Sequence, residues 1–129
     1  MPNRQKRKAE EKRGRDPRPT ATSHTLRMSA TKVRRVSNLV KGLPVAQALS
    51  TCDFLPHRAA ADVKKTLQAA LANADNNCDL DPDDLVVTDV QVNETFTIPR
   101  IRPRAQGRAY RIRRRTCRLT ITVGEREEE

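Results

Sequence analysis

From Thr95 to Gly124 the chain reads TFTIPRIRPRAQGRAYRIRRRTCRLTITVG, with nine arginines, no lysine and no acidic residue. The remaining segments show why that matters. Residues 1–18 hold eight basic and three acidic side chains, a balance of +5. Residues 19–94 hold eight basic and nine acidic, or −1, and residues 125–129 come to −3. The formal net charge of +10 is therefore segregated, with a near-neutral body between two cationic segments. Net charge alone predicts only an attraction to polyanions. Segregation predicts which segments touch one.

The same stretch alternates. Val86, Thr88, Val90, Val92, Phe96 and Ile98 fall on one parity, and Asp89, Gln91, Asn93, Thr95 and Thr97 on the other, the period of a strand. Cys117, Leu119, Ile121 and Val123 alternate in the same way with Thr116, Arg118, Thr120 and Thr122. Pro99, Pro103 and Gly107 lie between the arms and supply turn residues, so the spacing predicts a hairpin over 85–123. Tyr110 and Ile112 are even while the apolar residues from Cys117 onward are odd, which predicts a bulge or a change of environment between Ile112 and Cys117. An arm of about fourteen residues spans roughly 45 Å, against a radius of gyration near ~14 Å for a compact chain of this length. The far half must project. A lone two-stranded ribbon is marginal in water, and one this cationic repels itself, so it needs a polyanion to hold its shape.

Upstream, the pattern predicts helices. Residues 20–28, with His24, Leu26 and Met28 set among threonines, read as a first strand. Ser29 is placed to cap a helix over 30–41, with Val33, Val36 and Val40 on its buried stripe and Gly42 at its end. Pro44 fits the first turn of a short helix that turns Val45, Ala48 and Leu49 inward, followed by a turn from Asp53 to Pro56. Pro56 then opens the longest helix, which Asn76-Asn77 ends, with Ala60, Val63, Leu67, Ala70, Leu71 and Ala74 buried. At 129 residues this is one domain, over 20–124. Residues 1–19 have nothing to bury and are expected to stay disordered until bound; residues 125–129 form an acidic tail.

Composition narrows the class. Phe54, Phe96 and Tyr110 are the only aromatics, so the core must be thin and aliphatic. Their scarcity argues against sheet-face stacking of single strands and favours recognition of folded RNA by shape and backbone. Cys52, Cys78 and Cys117 make no CxxC pair and read as reduced, buried thiols of a cytoplasmic protein. The N-terminus lacks the apolar core of a secretory signal, and no window reaches the length needed to cross a membrane.

Catalytic chemistry finds little support. His24 and His57 stand apart from any nucleophile, and the four glycines form no phosphate-cradling loop. Asp79, Asp81 and Asp83 imitate the start of a calcium loop, but the sixth position is Asp84 and the twelfth is Val90, so solvated loop acids are the reading. A small nuclease using those acids with Mg²⁺ is the distant alternative. A nearer one is an architectural, histone-like DNA-binding protein with cationic β-arms, whose wedge would be Pro99 or Ile101. No catalytic residue, cofactor, metal or small-molecule substrate is expected.

Taken together, MSATKVRRVSNLVKG, PHRAAADVKKTLQAALANADNN, LDPDDLVVTDVQVNE and RIRPRAQGRAYRIRRRTCRLTITV resemble the bacterial large-subunit ribosomal protein L-twenty-two family over about residues 24–124. The most specific piece is PRAQGRAYRIRRRT, similar to the family's PRA-x-GRA-x-RI-x-(K/R)RT. Leu55, Pro99 and Arg118 depart from the family's usual choices. The resemblance implies an α+β fold: three helices packed on a small antiparallel three-stranded sheet, with a long protruding β-hairpin. It implies a structural protein of the cytoplasmic ribosome, with large-subunit (23S-type) ribosomal RNA, neighbouring large-subunit proteins and the nascent polypeptide as partners. By matching positions, the RNA contacts would be Lys32, Arg34, Arg35, Arg104, Arg108, Arg111, Arg113, Arg114 and Arg115. Ile98, Pro99, Arg100, Ile101 and Arg102 would form the hairpin tip lining the exit tunnel.

Overall fold

The computed structural model describes residues 18–126. The expectations for residues 1–17 and 127–129 lie outside them. Strand β1 (Thr20–Leu26) is followed by helices α1 (Ala30–Val40), α2 (Val45–Phe54) and α3 (Arg58–Cys78), then by strands β2 (Leu85–Pro103) and β3 (Ala109–Glu125). Short 3-10 turns lie at Pro82–Asp84 and Ala105–Gly107. The strands form one antiparallel sheet in the order β1-β3-β2. Three helices cover one face of it, the expected α+β architecture.

Helix α1 follows its valine spacing. Val33, Val36 and Val40 are fully buried, and Ser37 joins them by donating its hydroxyl to Val33 O at 2.9 Å. Ser29 opens the helix with its carbonyl, which accepts from the Lys32 and Val33 amides, and its side chain makes no cap. Gly42, at φ +84°, reverses the chain. Its N–H donates to Val87 O at 2.9 Å and Val87 N–H donates to Leu43 O at 3.0 Å, so the link between α1 and α2 pairs with the outer edge of β2. An open sheet edge invites unwanted pairing; this link covers it.

Helix α2 is longer than its sequence predicts. Asp53 and Phe54 belong to its last turn, held by Leu55 N–H donating to Thr51 O, because Cys52 is buried in that turn. Leu55–His57 is extended and α3 begins at Arg58 rather than Pro56. Nor does Asn76-Asn77 end α3. The helix runs to Cys78 and closes at Asp79, whose left-handed backbone returns Leu80 N–H to Ala74 O and Leu80 itself onto the core. Ala59 and Thr66 join the expected buried stripe. Leu71 is only half-buried.

In β3 the alternation is as read: Cys117, Leu119, Ile121 and Val123 are fully buried. In β2 it is not. A bulge between Val87 and Asp89 changes the phase, so Leu85 and Val87 face the core before it and Val92 after it. Val86 lies off that face. A second bulge, between Glu94 and Thr97, stands opposite Arg115–Cys117. The irregularity expected between Ile112 and Cys117 is therefore real but sits on the partner strand. The bulge in β1 likewise lies opposite β3, between Ser23 and Leu26. Strand β3 runs unbroken between two bulged neighbours. The core is built from Val, Leu, Ile, Ala and Cys, without an aromatic ring.

Candidate nucleic-acid interface

The last pair of β1 with β3 is Leu26 with Cys117. Beyond it, β2 and β3 continue alone, from Thr97–Arg115 to Pro103–Ala109. That is about 20 Å of ribbon at 3.3 Å per residue, and residues 99–111 are exposed without exception. The junction is fastened. The hydroxyl of Thr116, a residue 2% exposed, lies 2.7 Å from the Thr95 hydroxyl and donates to Phe96 O inside the bulge.

Register manages the ribbon's self-repulsion. Like charges directly opposite each other destabilise a sheet, and in the ladder from Thr97–Arg115 to Pro103–Ala109 no arginine is paired with another. Arg100 opposes Ile112, Arg102 opposes Tyr110, Arg111 opposes Ile101, Arg113 opposes Pro99, Arg114 opposes Ile98 and Arg115 opposes Thr97. Charge is thus spread over both faces. Ile98 and Ile112, diagonal neighbours on one face, are half-buried. The chain reverses at Arg104–Arg108, where Gln106 (φ +63°) and Gly107 (φ +69°) are both left-handed and Arg104 N–H donates to Arg108 O at 2.7 Å. The residues expected at the tip are elsewhere: Ile98–Arg102 lie within the ladder, level with Tyr110–Arg114.

Where the ribbon leaves the body there is a notch of about 740 Å³. Arg27, Met28 and Ser29 line it from the end of β1, and Lys32 and Arg35 from α1. His57, Arg58 and Ala59 line it from the start of α3, and Ile98, Arg100 and Arg113–Thr116 from the ribbon. Eight of these side chains are lysine or arginine and none is acidic. Of the predicted contacts, Lys32, Arg35, Arg113, Arg114 and Arg115 are therefore brought together, and Arg104 and Arg108 flank the turn. Arg34 spends one nitrogen on an internal brace, Nη2 donating to Val92 O at 2.9 Å. Arg27, Arg58 and Arg100 were missing from the predicted RNA contacts. Arg100 was assigned to the tip, and only the α3 start displaced from Pro56 could have pointed to Arg58.

Helix polarity supports an anionic ligand. Neither α1 nor α3 has an acidic residue in its first turn or a side-chain cap, and both helices start in the notch. Their free amides and the positive ends of their dipoles add to the cationic field there. Helix α3 is charged against its own dipole at both ends, with Arg58 at the start, no basic residue in the last turn and Asp79 at the close.

Other chemistry is sparse among the described residues. Asp81 caps the Pro82–Asp84 turn, its carboxylate accepting from Asp83 N–H at 3.1 Å. No three His, Cys, Asp or Glu side chains come together as a metal site. Cys52, Cys78 and Cys117 form no disulfide. Burial, then Asp53, pushes the Cys52 thiol up, and burial, then Asp62, does the same to Cys117. Both act as core hydrophobes. Among the described residues no helix is long and apolar enough to cross a membrane.

Residues 21–124 match the model of the family described as ribosomal protein L22p/L17e. The chain belongs to that family. It is 47% identical over 116 residues to the large ribosomal subunit protein uL22 of Synechococcus sp. strain JA-3-3Ab, covering 88% of this chain and 94% of the relative. It is 46% identical over 108 residues to the protein of the same name from Pediococcus pentosaceus, covering 84% and 92%. The family match ends at Gly124, and so contains the whole ribbon and every residue of the notch.

Proposed function

We propose that this chain is a structural, non-enzymatic constituent of the large ribosomal subunit that organises large-subunit ribosomal RNA. The observation that carries the proposal is the continuity of one acid-free cationic surface from the notch to the end of an exposed ribbon, in a chain of this family. Lys32, Arg35 and Arg113–Arg115, with Arg27 and Arg58, hold RNA at the ribbon's base. Arg104, Arg108 and Arg111 hold it further out, and Arg34 adds its remaining donors from the body. Arginine suits this task because its planar fork meets phosphate bidentately. The ribbon, Ile98, Pro99, Arg100, Ile101 and Arg102 included, lines the nascent-chain tunnel. Neighbouring large-subunit proteins and the emerging polypeptide complete the set of partners.

Binding to isolated large-subunit RNA, titrated from low to moderate salt, tests the electrostatic core of this reading. Neutralising about eight phosphates gives a log–log slope steeper than about −5. A slope near zero removes it. Sedimentation of a lysate separates the DNA-binding alternative: the protein travels with the large subunit here, and with the nucleoid there.

A further inference from the structure

All three aromatic side chains lie outside the core. Phe54 is 88% exposed, Phe96 57% and Tyr110 53%. Single exposed apolar residues need no explanation, but these are the largest apolar side chains in a chain whose core contains none. Burying a ring is among the larger stabilising contributions open to a small domain. Two of the three stand on the ribbon, among arginines. Tyr110 faces Arg102 directly across the ladder and precedes Arg111. Phe96 lies in the bulge beside Thr97, whose cross-strand partner is Arg115, and its carbonyl is held by Thr116, which lines the notch. The Thr95–Thr116 contact fixes the backbone around it. Phe96 is thus an exposed ring on a backbone fixed to Thr116, a residue of the cationic notch.

We propose that Phe96 and Tyr110 are stacking platforms for unpaired RNA bases, supplementing the arginines that hold the phosphates. The proposal rests on the RNA-binding reading above and specifies the RNA: it must present splayed-out bases at a loop, bulge or junction, because paired bases offer no free face. Base–aromatic stacking tolerates any base, so the platforms select for unpaired structure rather than for sequence. The levels of the two rings differ by six residues of ribbon, about 20 Å, so they serve two separate bases rather than one continuous stack. Phe54 sits on α2, outside notch and ribbon, and has no such role.

The chain has no tryptophan, so a single introduced indole reports on its own surroundings. Three variants, Phe96→Trp, Tyr110→Trp and Phe54→Trp, are titrated with isolated large-subunit RNA while indole emission is followed. Stacking quenches the first two and leaves the third nearly unchanged. In parallel, Phe96→Ala and Tyr110→Ala each weaken binding about five- to a hundredfold, the range for one lost stack, with the salt slope unaltered. Phe96→Leu keeps bulk but no π-face and behaves like Phe96→Ala. Unquenched emission at positions 96 and 110 with RNA bound overturns the proposal, as does full affinity in Phe96→Ala. In both cases a steep salt slope leaves the electrostatic reading standing. A flat salt slope in the unmodified protein overturns that reading as well.

Discussion

Thr116→Val tests how the ribbon is fixed to the body. The substitution keeps the β-branched shape of a residue that is 2% exposed and removes the hydroxyl that meets both Thr95 Oγ1, at 2.7 Å, and Phe96 O. A typical hydrogen bond contributes roughly 0.5–1.5 kcal/mol net, and a buried acceptor left without its partner costs about 1–3 kcal/mol. The expected loss is about 1–2 kcal/mol, since two hydrogen bonds are removed from a junction that is only part-buried. For a domain of this size each ~1 kcal/mol lowers Tm by roughly 3–6 °C. Urea unfolding of the free protein measures it, with Thr116→Ser as the control that keeps the hydroxyl and loses only a methyl. Thr95→Val removes one of the same contacts, so the double variant loses less than the two single losses combined. If Thr116→Val stays within ~0.5 kcal/mol of the parent, or matches Thr116→Ser, the hydroxyl is not a fastening and the bulge holds itself.

Leu67 is fully buried at the centre of α3, and Leu67→Ala lowers stability by about 2–5 kcal/mol in the same assay. The Asp89 carboxyl is held below its usual range by hydrogen bonds, first from Lys41 and then from Gln91. A depressed folded-state value stabilises above the unfolded value of about 3.9 and is lost as pH falls through the folded one. In Asp89→Asn that acid-side loss becomes shallower, by under ~1 kcal/mol because the Lys41 pair is partly exposed. Amide exchange in the free protein is slow over Val63–Leu71 and fast over Pro99–Gly107; equal protection would mean that the ribbon folds back on the body. Replacing Arg113, Arg114 and Arg115 by Ala impairs incorporation into large subunits, as subunit profiles will show.

Elements with an uninterrupted period were legible in the sequence. The valines of α1 and the odd residues of β3 lie where a simple repeat places them. Bulges defeat that reasoning, because an extra backbone residue leaves no compositional mark. Thr88 looks like any strand threonine, yet the phase of β2 changes beside it. The tip was displaced for a related reason. The resemblance set the tip at Ile98–Arg102, but proline is tolerated at the edge of a two-stranded ribbon, so Pro99 and Pro103 stay in the ladder and, of the expected turn residues, Gly107 makes the reversal with Gln106. The cationic character of the ribbon was plain from the absence of acids. The notch was not, since it is assembled from Arg27, Lys32, Arg58 and Arg114, which come together only through the fold.

The unbroken strand β3 has a consequence for how the molecule comes into being. Among the described strands it comes last in chain order and is the only one that pairs with both of the others. While the chain is being made from its N-terminus, β1 and β2 emerge with no partner, and the three helices have no sheet to cover. No strand pair can form until the residues from Ala109 onward are free. Burial of Val87, Val92 and Leu26 waits on the same event. Long-range pairing of this kind is slow and leaves strand edges open meanwhile. A growing chain stalled just short of β3 would be a set of helices trailing two unpaired strands, so the body's sheet is completed only once β3 has emerged.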